Sequence, residues 1–226
     1  MTTARLGAIA VQVADHPIAM ARLLQPLARE VATPDDAAEA RFAGGKIVRF
    51  LQSKTPSPVH LTIAVSDLTA TALALGDHRT PWTVHRPNTI RILRGECTLD
   101  VTEVEPGQEP GLISATVYVR DVGATTRFWQ ALGVTVNDAT PTAADDDADP
   151  PEPATDVIFE NARLELRGCG LRPVTLAHML LRVADPIASC VGLDYLSWGY
   201  TREEAALVTE TPDGSGVRVT PPRRRR

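Results

Sequence analysis

Two histidines and two carboxylates in this chain occupy positions where side chains can do chemistry. His60 and His178 each lie seven residues ahead of an aspartate, Asp67 and Asp185, at the opening of an apolar stretch. Asp100 and Glu165 each interrupt an alternating apolar stretch, CTLDVTEV and ARLELRG. Imidazole and carboxylate groups move protons, and they also hold Zn2+, Fe2+, Mn2+ or Ni2+. Alternate residues of a strand share a face, so each of these groups points away from its apolar neighbours.

The elements that must position them come as a repeat. GAIAVQVADHPIAMARLL, VHLTIAVSDLTATALALG, ISATVYVRDVGATTRFWQALG and AHMLLRVADPIASCVGL share an apolar strand, Val-x-Asp and a helix-forming stretch. Their aspartates, Asp15, Asp67, Asp121 and Asp185, are 52, 54 and 64 residues apart. Each ends a strand where its carboxylate can accept from the first free N–H groups of a helix, so these four read as caps and not as catalysts. Pro186 suits a first helical position and Gly133 suits a left-handed helix end. Seven residues before the four aspartates stand Ala8, His60, Ser114 and His178.

After each helix the chain returns through short strands, which predicts four β-α-β-β-β modules in an α+β fold of mixed sheets with helices on one face. Ile9/Val11/Val13, Leu61/Ile63/Val65, Ala115/Val117/Val119 and Met179/Leu181/Val183 form the helix-packing side of the opening strands. In the closing strands Leu99/Val101, Leu164/Leu166 and Val217/Val219 do the same, which turns Asp100, Glu165 and Arg218 to the other, concave side. In the first module that position falls to Val48, with Phe50 competing for the buried face; KIVRFLQ is the last clear strand there.

The bulk numbers set the class. With 226 residues, 43% hydrophobic and 23% charged, the chain has enough apolar mass for a core, and a net charge of -5 argues against nucleic acid. The run Arg223–Arg226 reads as a solvated tail. Cys97, Cys169 and Cys190 lack paired spacing, no leader-like segment opens the chain, and no apolar run approaches a membrane span of ~20 residues, so a reducing, cytoplasmic setting is expected. Residues 140–155, rich in Asp and Pro, read as a surface loop. Asp145, Asp146, Asp147 and Asp149 lack the glycine turn and closing glutamate of a Ca2+ loop.

The repeat resembles the vicinal oxygen chelate superfamily, which includes glyoxalases, bleomycin-resistance proteins and ring-cleaving dioxygenases. HMLLRVADP resembles the first strand of lactoylglutathione lyases and HLTIAVSDL that of the dioxygenases, while NARLELRG and TPDGSGVRV resemble final strands, with Arg218 where glutamate is expected. The resemblance implies two cupped domains, 1–107 (modules 1–54 and 55–107) and 108–222 (modules 108–170 and 171–222), followed by the tail 223–226. It also implies a divalent metal (Zn, Fe, Mn or Ni) held from the first and last strands. Ala8, Val48, His60, Asp100, Ser114, Glu165, His178 and Arg218 are the matching positions, and four of them are good ligands. If neighbouring modules pair, His60 goes with Asp100 and Glu165 with His178. If modules interleave, His60, Asp100 and Glu165 share a cup with Ser114 beside them.

Two functions follow from the resemblance. One is a lyase, isomerase or dioxygenase acting on a small oxygenated metabolite, with His60, Asp100 and Glu165 as metal ligands and Glu165, Asp100 or His178 as catalytic groups. The other is a metal-free protein that binds a small molecule, as the antibiotic-resistance members do, or that does acid–base chemistry through Arg218, His178 or Glu165. Ser114, Arg218, Trp198 and Tyr195 are the expected substrate contacts, and a monomer or homodimer is expected without nucleic-acid or membrane partners. The competing reading makes His60 and Asp100 ordinary strand residues, pairs Glu165 with Arg163 or Arg167, and leaves His16, His78 and His85 on the surface. Trp129 is expected in the core, and Trp82 and Trp198 in the core or lining a cup.

Overall fold

A computed structural model describes residues 4–14, 16–34, 37–54, 56, 58–95, 97–105, 107–138, 154–168 and 176–222. Asp15, Cys169, the tail and the four aspartates of the acidic insert lie outside the described residues. Module 1 consists of β1 (Ala4–Val13), α1 (Pro17–Leu23), β2 (Glu30–Ala32), β3 (Ala37–Arg41) and β4 (Ile47–Gln52). Module 2 consists of β5 (Val59–Val65), α2 (Leu68–Asp77), β6 (Thr83–Arg86), β7 (Thr89–Arg94) and β8 (Cys97–Glu103). Module 3 consists of β9 (Gly111–Val119), α3 (Val122–Ala131), β10 (Thr135–Asp138), β11 (Ala154–Phe159) and β12 (Ala162–Gly168). Module 4 consists of β13 (Leu176–Val183), α4 (Pro186–Tyr195), β14 (Tyr200–Glu203), β15 (Ala206–Glu210) and β16 (Gly216–Thr220).

The predicted β-α-β-β-β order is present four times, in an α+β fold of two eight-stranded mixed sheets. Their strand orders are β14-β15-β16-β13-β1-β4-β3-β2 and β10-β11-β12-β9-β5-β8-β7-β6. One sheet therefore holds modules 1 and 4, and the other holds modules 2 and 3. Within a module the first and last strands run parallel, as β1 does on β4, β5 on β8 and β13 on β16. By its contacts the chain forms two compact units, 8–115 and 1–7 with 116–226.

In the unit 8–115, period-two alternation explains the core. Leu61, Ile63, Leu99 and Val101 are fully buried, with Leu75 of α2 beside them in the core set. Val48 does not face the concave side: Val48 and Phe50 are both fully buried, and the residue between them, Arg49, takes the outward position. A large ring at Phe50 gains more from burial than any concave position could return, and parity then carries Val48 inside with it. Asp67 caps α2 by accepting from Ala70 N at 2.8 Å. In module 1 it is His16 whose ring accepts, from Ile18 N at 3.3 Å, with Pro17 next in line.

The unit 1–7 with 116–226 is built around α3 and α4. Asp121 caps α3 and Asp185 caps α4, and Gly133 closes α3 with φ 78°. Trp129 is fully buried, with Phe128 at 5.3 Å and Phe159 at 5.9 Å, both edge-on. The two helices approach so closely at Gly192 that a Cβ there would stand 1.9 Å from the Ala131 carbonyl oxygen. Asp213, in the β15–β16 turn, accepts from Arg120 N at 2.9 Å and from the Thr125 hydroxyl at 3.1 Å. The Asn161 side chain pairs with both backbone groups of Leu6, at 2.8 and 2.9 Å, and Glu160 N donates to the Ala4 carbonyl. Among the described residues no helix is long and apolar enough to cross a membrane.

These contacts predict that Gly192→Ala destabilises the protein by roughly 3 kcal/mol or more, because backbone must move to admit the methyl group. Gly76→Ala, in α2 with open space around it, should stabilise by about 0.5–1 kcal/mol. Chemical denaturation of the two variants reads both outcomes.

Candidate functional site

The concave face of module 2 holds the most connected polar cluster. On β5, His60 and Thr62 face away from the helix-packing residues Leu61 and Ile63. Hairpin pairing sets Arg91 of β7 directly opposite Asp100 of β8. The His60 Nε2 atom lies 2.8 Å from Asp100 Oδ2. Arg91 donates from Nε to Oδ1 at 2.7 Å and from Nη2 to Oδ2 at 2.9 Å. This two-pronged geometry is the strongest that a guanidinium offers a carboxylate. Burial alone would push the Asp100 carboxyl up, but the hydrogen bonds from Arg91 and His60 outweigh it and hold the group well below the usual carboxylate range.

The same rung of the other modules is also charged. In module 3 the residue opposite Glu165 is Asp156, so two buried carboxylates face each other. Glu165 takes a hydrogen bond from Arg167 at 2.8 Å and one from the Thr116 hydroxyl at 3.0 Å. Asp156 has a 3.4 Å contact with Arg163 through Oδ2, while its Oδ1 is buried without a hydrogen-bond partner among the described residues. Burial, reinforced by the Glu165 charge, raises the Asp156 carboxyl above its ordinary value despite Arg163. In module 1 the pair is inverted: Glu39 of β3 is buried opposite Arg49 of β4 and is held by Arg49 and Arg41. Burial opposes ionisation of Glu39, yet the two arginines bring its carboxyl below the ordinary value.

Module 4 differs. Arg218 lies opposite Val208 and pairs with Glu203 at 2.7 Å, and both side chains are about half exposed. Leu180, Arg182, Glu203, Ala206, Arg218 and Pro221 contribute to the lining of an open groove of about 720 Å³. His178, exposed, lies on the same face of β13 as Leu180 and Arg182. Its cross-strand neighbour is Gly216, where a Cβ would come within 2.5 Å of the ring Nδ1, so glycine leaves room for the imidazole to lie on the strand.

The other expected contacts fall elsewhere. Ala8 on β1 and Ser114 on β9 are half-buried. Trp198 is half-buried, with its ring 5.6 Å from Phe128, which is fully buried in α3. Tyr195, at the end of α4, is 87% exposed on a helix and is no wall of a cup. Trp82 is 37% exposed. His16 and His78 are exposed, as expected, but His85 is half-buried in β6 with Nε2 covered and unpartnered among the described residues. Arg91, Asp156, Glu39 and Glu203 have no place among the expected site residues. Counting rungs from the hairpin end of TIRILRGECTLDV would have set Arg91 against Asp100.

No protein-family model matches the sequence, and no curated protein matches it. Solved structures do. Maize glyoxalase I aligns over 97% of this chain and 93% of its own, with a TM-score of 0.63 and 16% identity. A candidate dioxygenase of Bacillus subtilis aligns over 98% of this chain and 86% of its own, with a TM-score of 0.63 and 12% identity. The cppA protein of Streptococcus pneumoniae aligns over 98% and 99%, with a TM-score of 0.56 and 9% identity. The chain shares the fold of these solved structures, glyoxalase I among them.

A vicinal oxygen chelate fold implies a divalent metal, and the donor set here does not fit one. Both oxygens of Asp100 are engaged by Arg91, and Glu165 is held by Arg167 and Thr116. Among the described residues no three His, Cys, Asp or Glu side chains gather as a metal site. A metal beside a guanidinium also meets like charge, worth about 4 kcal/mol per unit pair at 4 Å and an effective dielectric of 20.

Asp100 is more acidic folded than unfolded, so its contribution is complete above 3.8 and is lost as the pH falls below that value. Acid denaturation should steepen there in the wild type and flatten in Asp100→Asn. Arg91→Met should cost about 3 kcal/mol at neutral pH by leaving a buried charge unpaired. Asp156 has the opposite sign: its contribution is lost as the pH rises through its raised value. Asp156→Asn should therefore stabilise the protein at neutral pH and lose that gain on acidification, as read by thermal denaturation.

Proposed function

We propose that the protein is a metal-independent member of this fold that binds a small oxygenated carboxylate in the module 4 groove and moves a proton on it with His178. The groove carries this reading. Its volume falls within the ~300–1,000 Å³ of ligand sites, and its apolar floor (Leu180, Ala206, Pro221) lies beside two guanidinium groups. Exposed ion pairs such as Arg218–Glu203 are worth little, ~0–1 kcal/mol, so a ligand carboxylate can displace Glu203 at small cost. A bidentate partner then fixes the ligand's orientation, and His178, two residues from Leu180 on the same strand face, is the imidazole that a ligand extending from the groove along β13 would meet. The naming of one fold neighbour as glyoxalase I supports an enzyme that acts on small molecules.

The half-apolar lining also favours a second reading, in which the same groove sequesters a ligand without a proton step. Calorimetric titration with benzoate and with 2-oxo and 2-hydroxy carboxylates, in EDTA, tests both. At least one acid should bind, and Arg218→Ala should weaken it about ten- to a hundredfold, the worth of a charged hydrogen bond. If none binds, or binding is indifferent to Arg218, the groove is not the site. Exchange of a substrate C–H proton that His178→Gln abolishes while binding persists selects the enzyme; equal behaviour of the variant selects sequestration.

A further inference from the structure

In module 2 the strand face that carries His60 and Asp100 is closed by the Arg91 side chain. We propose that Arg91 stands in for the metal there, so that His60 and Asp100 form a divalent-metal half-site locked by a guanidinium and regain affinity for a metal when Arg91 is removed. This inference concerns the unit 8–115 and is independent of the groove in module 4.

Three observations carry it. His60 and Asp100 project from adjacent parallel strands with a ring nitrogen 2.8 Å from a carboxylate oxygen, which is the pairing of donor types that a borderline divalent ion uses. The guanidinium fork reaches both carboxylate oxygens at 2.7 and 2.9 Å, so it takes the acceptor positions a cation would take and supplies the compensating charge. Arg91 is set directly opposite Asp100 by the β7–β8 register, not by a mobile loop, and its side chain is 21% exposed. The lock is thus built into the ladder. Arg49 on Glu39 in module 1 shows the same solution with the strands exchanged, where no histidine accompanies the pair.

Arginine differs from a metal in one decisive respect. It donates hydrogen bonds and carries one charge, but it offers no empty coordination position to a substrate oxygen. Module 2 neutralises its carboxylate without supplying a Lewis acid.

Cobalt(II) reports the inference directly, because nitrogen and oxygen ligation in a protein changes its visible absorption. The full-length wild type, stripped with chelator, should show no saturable spectral change up to millimolar cobalt chloride. Arg91→Met should bind cobalt at least about tenfold more tightly, the scale on which neighbours of metal ligands tune affinity. Asp100→Asn or His60→Gln added to Arg91→Met should return the affinity to the wild-type level. Micromolar, saturable binding by the wild type overturns the proposal. So does a folded Arg91→Met protein with no gain, or a gain indifferent to Asp100 and His60. Circular dichroism establishes folding, and Arg91→Gln, which keeps hydrogen-bonding capacity but not charge, replaces the methionine variant if that one does not fold. The readout needs no substrate, so it stands or falls apart from carboxylate binding in the module 4 groove.

Discussion

Because helices claim one face of each central strand, the charged side chains at mid-strand (Arg49, Asp100, Glu165 and Arg218) are driven to the opposite face, where a carboxylate with little access to water must find a counter-charge. That constraint shapes each module in turn. Asp100 is neutralised from the facing strand by Arg91. Glu165 faces another acid and is neutralised instead by Arg167, two residues along its own strand. Glu39 draws on Arg49 across the ladder and Arg41 along it. The charge rule is constant while the residues that satisfy it change, which is what a repeated scaffold with divergent surfaces should show.

The consequence for chemistry follows from the same rule. A carboxylate already satisfied by a guanidinium has no reason to bind a metal, since any new partner must first repay the bond it breaks. Where the ion pair lies in water, as between Arg218 and Glu203, the repayment is small. In modules 1, 2 and 3 the paired carboxylate itself is buried, whereas in module 4 both partners are about half exposed. Exposure, more than residue type, separates these two kinds of pair.

Much of the architecture was legible in the residues. Alternation in HLTIAV and CTLDV set the face of each strand, and the Val-x-Asp steps placed three of the helix starts that the structure describes. The concave placement of Asp100 and Glu165 followed from the same parity. Legibility failed where the deciding partner is distant or where no alternation marks a strand. AAEAR carries no alternating apolar signal, yet it is β3, because ladders on both sides hold it. Arg91 drew no expectation, since nothing local marks its partner nine residues on. Trp198 suggested a stacking platform, but its neighbour Phe128 is 70 residues earlier, in α3.

Asn161 places a different demand on this chain. Its amide completes the backbone pairing of Leu6 across 155 residues of sequence, and the adjoining Glu160 completes that of Ala4. At a synthesis rate of about 5–20 residues per second, the opening strand leaves the ribosome roughly 8–30 s before those partners exist. During that interval the N–H and C=O of Leu6 and the carbonyl of Ala4 lack the partners of the finished fold. These three backbone groups of β1 are thus satisfied only after most of the chain between them and their partners has been made.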